Sequence, residues 1–111
     1  IKGGWGAIDG AFRNNALLTC VILPPTSTYI SIAVFADCPN LKTFISKATV
    51  PPTLGASQFD RTPVSAIYVP NASLEAYKTA TNWNAYADKI KGISDLATDN
   101  PTLYAEIEEY L

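Results

Sequence analysis

The chain has no histidine, no methionine, two cysteines, and only 8 basic and 10 acidic residues among its 111. Without histidine there is no Ser-His-Asp or Cys-His pair and no imidazole ligand for a metal. Two cysteines in unlike settings do not make a zinc site. The net charge of −2 and pI near 4.9, with no Lys/Arg-rich run among the aromatics, leave no basic surface for nucleic acid. No apolar stretch approaches the ~20 residues that span a membrane, and no secretory leader is visible. The first residue is Ile1 rather than methionine, as expected of a mature or trimmed fragment. Gly3-Gly4-Trp5-Gly6 opens no helix and follows no clear strand, so it is not a phosphate loop. Asp37, Asp60 and Asp88 fall in expected turns or in a cap, without the convergent spacing of an acid/base pair. No enzyme activity and no cofactor are expected.

What is present is an apolar globular composition, 48% hydrophobic, of single-domain length. It is organised by a repeat. Leu18-Thr19-Cys20-Val21-Ile22-Leu23 returns as Leu41-Lys42-Thr43-Phe44-Ile45-Ser46 and as Val64-Ser65-Ala66-Ile67-Tyr68-Val69, each start 23 residues after the last. A period of this length carrying L-x-x-L-x-L is the leucine-rich-repeat signature. Phe12, Phe35 and Phe59 precede the three starts as anchors. Strand alternation puts Val21 and Leu23, Phe44 and Ser46, and Ile67 and Val69 on an inner face. Cys20 and Ile22, Thr43 and Ile45, and Ala66 and Tyr68 then point outward. Ser46 interrupts the inner face; local bonding of its hydroxyl to nearby backbone is expected. Cys20 belongs to the outer row and Cys38 to a tight turn, where Asn15 stands one repeat earlier, so two thiols are expected rather than a disulfide.

After Val69-Pro70 the period-2 pattern stops. Ser73 is placed to cap a helix over 74–80, with Leu74, Tyr77 and Ala80 on one stripe, and a second helical stretch follows from Trp83 to about Ile90. Asn71-Ala72-Ser73 matches a glycosylation sequon but reads better as turn and cap. After a linker from Ser94 to Asp99, Asn100 and Pro101 start a last helix whose Leu103, Ile107 and Tyr110 need an apolar surface to pack on.

Two segments carry a family likeness. Ala33-Val34-Phe35-Ala36-Asp37-Cys38-Pro39-Asn40-Leu41 resembles the unit of the BspA-like leucine-rich repeat. Ile67-Tyr68-Val69-Pro70-Asn71-Ala72-Ser73-Leu74-Glu75-Ala76-Tyr77-Lys78 looks like that family's C-terminal cap. The resemblance implies an α/β leucine-rich-repeat solenoid of about three short parallel-strand turns (7–29, 30–53 and 54–70) and a helical cap over 71–93; the linker and C-terminal amphipathic helix of 94–111 lie outside the match. It also implies a secreted or cell-surface protein of the kind found in Bacteroidetes, one that adheres to host matrix or bacterial surface proteins without catalysis.

The candidate binding residues are the outer row Ile22, Thr43, Ile45 and Tyr68. Three readings of that row stand side by side: a face for a protein partner, a face covered by the chain's own tail or by flanking segments, and a side-chain ladder. A structural cap or spacer of a larger repeat protein is the alternative function. A glycan-binding module, with Tyr68 stacking on sugar, is a further one. Residues 1–10 hold little apolar surface, so self-association through the N-terminal strand edge, with Trp5 near the contact, is also expected.

Overall fold

Val, Ile, Phe and Tyr favour a pleated, packed surface, and the three six-residue motifs form strands where they are richest in these residues. In the computed structural model, which describes residues 13–111, these are β1 (Cys20–Leu23), β3 (Thr43–Ser46) and β5 (Ala66–Val69). They pair in parallel with Cys20 opposite Thr43 and Thr43 opposite Ala66. A fourth strand, β6 (Ile90–Gly92), joins beyond β5 with Ile67 opposite Ile90, giving the order β1-β3-β5-β6. The pattern therefore does not stop at Val69. On the return path β2 (Tyr29–Ile30) and β4 (Thr53–Leu54) form a second, two-stranded parallel sheet. Phe12, Ile8 and Trp5, and with them the expected N-terminal edge contact, lie outside the described residues.

The space between the two sheets is the main core. Phe35, Phe44 and Phe59 meet there with Trp83 and Tyr77, and the Phe44 ring stands edge-on to Phe35, Phe59 and Trp83 at centroid distances of 5.5, 5.0 and 6.2 Å. Tyr77 comes from α1 (Leu74–Thr79) and Trp83 immediately precedes a 3₁₀ stretch over Asn84–Lys89. Two buried polar side chains complete this core. Gln58 accepts from the Phe35 amide and donates to the Ser31 carbonyl. Ser46, fully buried, bonds to Tyr77 Oη at 2.7 Å, and Tyr77 in turn donates to the Ala48 carbonyl. A phenol has one proton to give, so the Ser46 hydroxyl is the donor in its pair. Its partner is thus a helix side chain 31 residues away, not neighbouring backbone. Burial pushes the Tyr77 phenol up to about 12.

The expected leucine-rich-repeat solenoid is not what forms. The molecule is a mixed α/β globule of 32 × 29 × 24 Å. Four strands spaced about 4.8 Å apart stack to only about 15 Å, so the stack has no long axis. Nor is its outer face open. The 94–111 segment, expected as a linker and an amphipathic helix in need of an apolar surface, forms α2 (Leu96–Asp99) and α3 (Pro101–Ile107), which pack back on the main sheet. Each of β1, β3 and β5 is consequently buried on both faces after its first residue, the condition of a parallel sheet layered on both sides. Ser73 also departs from expectation: it precedes α1, but its hydroxyl donates to the Thr49 carbonyl at 2.7 Å and not to the helix.

Candidate functional site

The row Ile22, Ile45 and Tyr68 comes together as the alternation requires, but beneath the chain's own helices. Ile45 is fully buried, Tyr68 is 3% exposed and Ile22 7%, all three packed in one cluster with Leu96 and with Leu103, Tyr104 and Ile107 of α3. Thr43 is half-buried at the start of β3. Ile22, Ile45 and Tyr68 are therefore covered, while Thr43 lines an open groove of about 330 Å³ beside Cys20, Lys42 and Asn100. The reading in which the chain's own tail covers the row is the one that forms.

Polar bonds hold this cover at its corners. Asp99, ending α2, accepts from Tyr68 Oη at 2.9 Å and pairs with Lys91 Nζ at 3.0 Å. The Lys91 and Tyr68 bonds lower the Asp99 carboxyl below its usual range, while burial first and the hydrogen bond to Asp99 second push the Tyr68 phenol up. Asn100 caps α3 by accepting from the Leu103 amide at 3.1 Å, with Pro101 at the first helical position as its rigid φ favours. Lys47 Nζ donates to the Tyr110 carbonyl at 2.6 Å, and Asn71 bonds Ser94 through both ends of its amide.

A second ion-paired cluster is structural as well. Asp37 sits between Arg13 and Arg61, each 24 residues away, and both guanidiniums bond it. Those bonds, Arg61's first, hold the Asp37 carboxyl down to about 2. Asp37 and Arg61 both adopt the left-handed backbone, φ 56° and 54°, in equivalent turns that the ion ladder ties together. Cys20 and Cys38 are thiols, both pushed up by burial. Among the described residues, no group of three or more Cys, Asp and Glu gathers as a metal site. No described helix is long and apolar enough to cross a membrane.

Two further grooves lie at the strand exits. The loops after β1 and β3 flank a groove of about 340 Å³ whose walls include Pro25, Ser27, Thr28, Val50, Pro51 and Thr53; none of its lining side chains is charged. Val50 stands 76% exposed. A second groove of about 350 Å³ continues from Pro51, Pro52 and Thr53 toward Asn82 and Trp83. Its floor is fixed: Trp83 Nε1 donates to the Pro52 carbonyl at 2.8 Å and Asn82 Nδ2 to the Leu54 carbonyl at 2.7 Å. Sequence reading assigned these loops no role. The available signal was Val50, a β-branched apolar residue set among threonine and proline.

No protein-family model matches the chain, and no curated protein matches it. The likeness to BspA-like repeats accordingly falls on both counts. It rests on short motifs that no family model takes up, and the solenoid it implied is replaced by a sheet closed on both faces.

Proposed function

We propose that this chain is a non-catalytic interaction module that meets a protein partner through the loops leaving β1 and β3, not through its sheet face. One observation carries the reading: Ile22, Ile45 and Tyr68 lie beneath the chain's own helices, while Val50 stands exposed on a groove shared with Pro25, Pro51 and Pro52. An exposed branched apolar side chain in an uncharged setting gains free energy by being covered.

The test is selection of displayed random peptides on the purified chain, followed by amide-shift mapping. Selected peptides should shift residues 24–28 and 49–53. Val50→Asp should weaken them about tenfold or more, the effect of losing one buried valine. Shifts confined to α2 and α3, with Val50→Asp binding as the parent does, would remove this reading.

A further inference from the structure

The cover formed by residues 93–111 packs its apolar side chains on the outer row of the sheet, in a cluster separate from the main core. It leaves the rest of the chain at Gly92–Ile93, from β6, the strand at the end of the sheet. Such a segment has two ways to make the same contacts, on its own sheet or on the identical sheet of a second copy. In either case Leu96, Leu103 and Ile107 cover Ile22, Ile45 and Tyr68, and Asp99 meets Tyr68 and Lys91. Those contacts cancel between the two forms, so the link decides. One clasp holds it shut. Asn71 donates from Nδ2 to Ser94 Oγ at 2.5 Å and accepts at Oδ1 from the Ser94 amide at 3.2 Å. Gly92 makes room for it: a Cβ there would run into the Asn71 side-chain amide, although the backbone at φ −76° suits any residue.

We infer that the outer face of the sheet is an exchange interface for a second copy of this chain, each copy's 93–111 segment covering the other's row, and that the Asn71–Ser94 clasp keeps the chain closed on itself. The face argues its occupant. A vacated row of Ile22, Ile45 and Tyr68 gains free energy by being covered again, and the segment seated on it shows which side chains fit. An unrelated helix would have to reproduce the spacing of Leu96, Leu103 and Ile107 and place an acid beside Tyr68 and Lys91. The link is long enough: residues 92–94, extended, reach about 10 Å, and a second sheet set against the β6 edge would begin about 4.8 Å away. Straightening it carries Ser94 off Asn71, so the closed form keeps two bonds per chain that the exchanged form lacks. The strand-exit loops take no part, and the exchange stands apart from the loop-face reading.

The test follows the full chain by light scattering over a concentration series. In parallel, an equal mixture of isotope-labelled and unlabelled chains, unfolded and refolded together, is searched for methyl contacts from Leu103 or Ile107 of one chain to Ile45 of another. A dimer gives up two clasps, hence four bonds. Asn71→Ala removes that penalty and should raise the dimerisation constant about thirtyfold or more, at the low end of the range for exposed bonds. Ser94→Ala keeps the backbone amide bond and should raise it about fivefold. Gly92→Ala, which touches neither partner of the clasp covalently, should act in the direction of Asn71→Ala, and the parent should be the weakest dimer of the four. Variants that stay monomeric at every concentration overturn the exchange, as does a dimer in which the contacts from α3 to Ile45 stay within one chain. An exchanged dimer no stronger in Asn71→Ala and Gly92→Ala than in the parent overturns the clasp. Val50→Asp should dimerise as the parent does, so this outcome is read separately from that of the loop face.

Discussion

On the inner side of the sheet, Phe35, Phe44, Trp83 and Tyr77 are all fully buried and meet ring to ring. On the outer side, Leu96 is the one residue of the covering helices buried to that degree; Leu103, Tyr104, Ile107 and Leu111 are half-buried. The inner layer is fixed by shape, since edge-to-face rings tolerate few arrangements. The outer layer is an apolar patch positioned by polar bonds at its corners, through Asp99, Asn71 and Lys47. Two faces of one sheet are thus covered by different means, and the means set how separable each cover is. Short helices with half-buried contacts belong to the low-stability end of a fold.

Three measurements press on this contrast. The largest effect belongs to the inner layer: Phe35→Ala should cost about 3–5 kcal/mol in a denaturant titration, the range for removing a core aromatic. A loss under 1 kcal/mol would mean the ring stack is not what fixes that layer. Leu96→Ala should cost less, about 2–3 kcal/mol near the lower end for core leucine truncation, because its half-open surroundings can close in. Here the informative readout is amide exchange, which should quicken through α2 and α3 while β3 keeps its protection. Uniform quickening would show the two layers to be one cooperative unit.

The smallest effect is set by pH. The Asp99 carboxyl titrates lower in the folded chain than its ordinary 3.8. It therefore contributes stability above that value, and the contribution is lost as the pH falls toward the folded one. Acidification through that window should loosen α2 and α3 before β3, and Asp99→Asn should remove the pH dependence of their exchange. Asp37, held to about 2 on the inner turns, acts with the same sign but ties turns rather than helices, so its loss should not single out the outer layer.

The strands were readable because a short apolar motif returns every 23 residues, over 20–23, 43–46 and 66–69. Phe35 and Phe59 were readable as core because a large ring recurs five or six residues before each of the three motif starts. The last helix was readable from Asn100-Pro101, whose side chain and ring act on their own backbone. The strand β6 was not, because Lys91 and Gly92 break its apolar run; only Ile90, 23 residues after Ile67, marked it. Gln58 and the Ser46–Tyr77 pair were hidden because their partners are 23 to 31 residues away and of unrelated type. The fold class was misjudged for a related reason. A 23-residue period reports which strands pair, but it says nothing of how many layers lie over them. That depended on Leu96, Leu103 and Ile107, whose helical spacing shows an apolar stripe but not its target.

The Ser46–Tyr77–Ala48 chain of bonds has a consequence for how this molecule is made. A stack of like turns can in general form one turn at a time, each stabilised by its neighbour. Here the interior of the second turn carries a hydroxyl that is satisfied only when α1, which follows the third, has docked. On the ribosome, a chain synthesised as far as Val69 holds all three long strands and still leaves Ser46 and the Ala48 carbonyl unmet in the core. Assembly of the sheet is therefore tied to the emergence of Tyr77, and the first three strands wait on a residue that none of them contains.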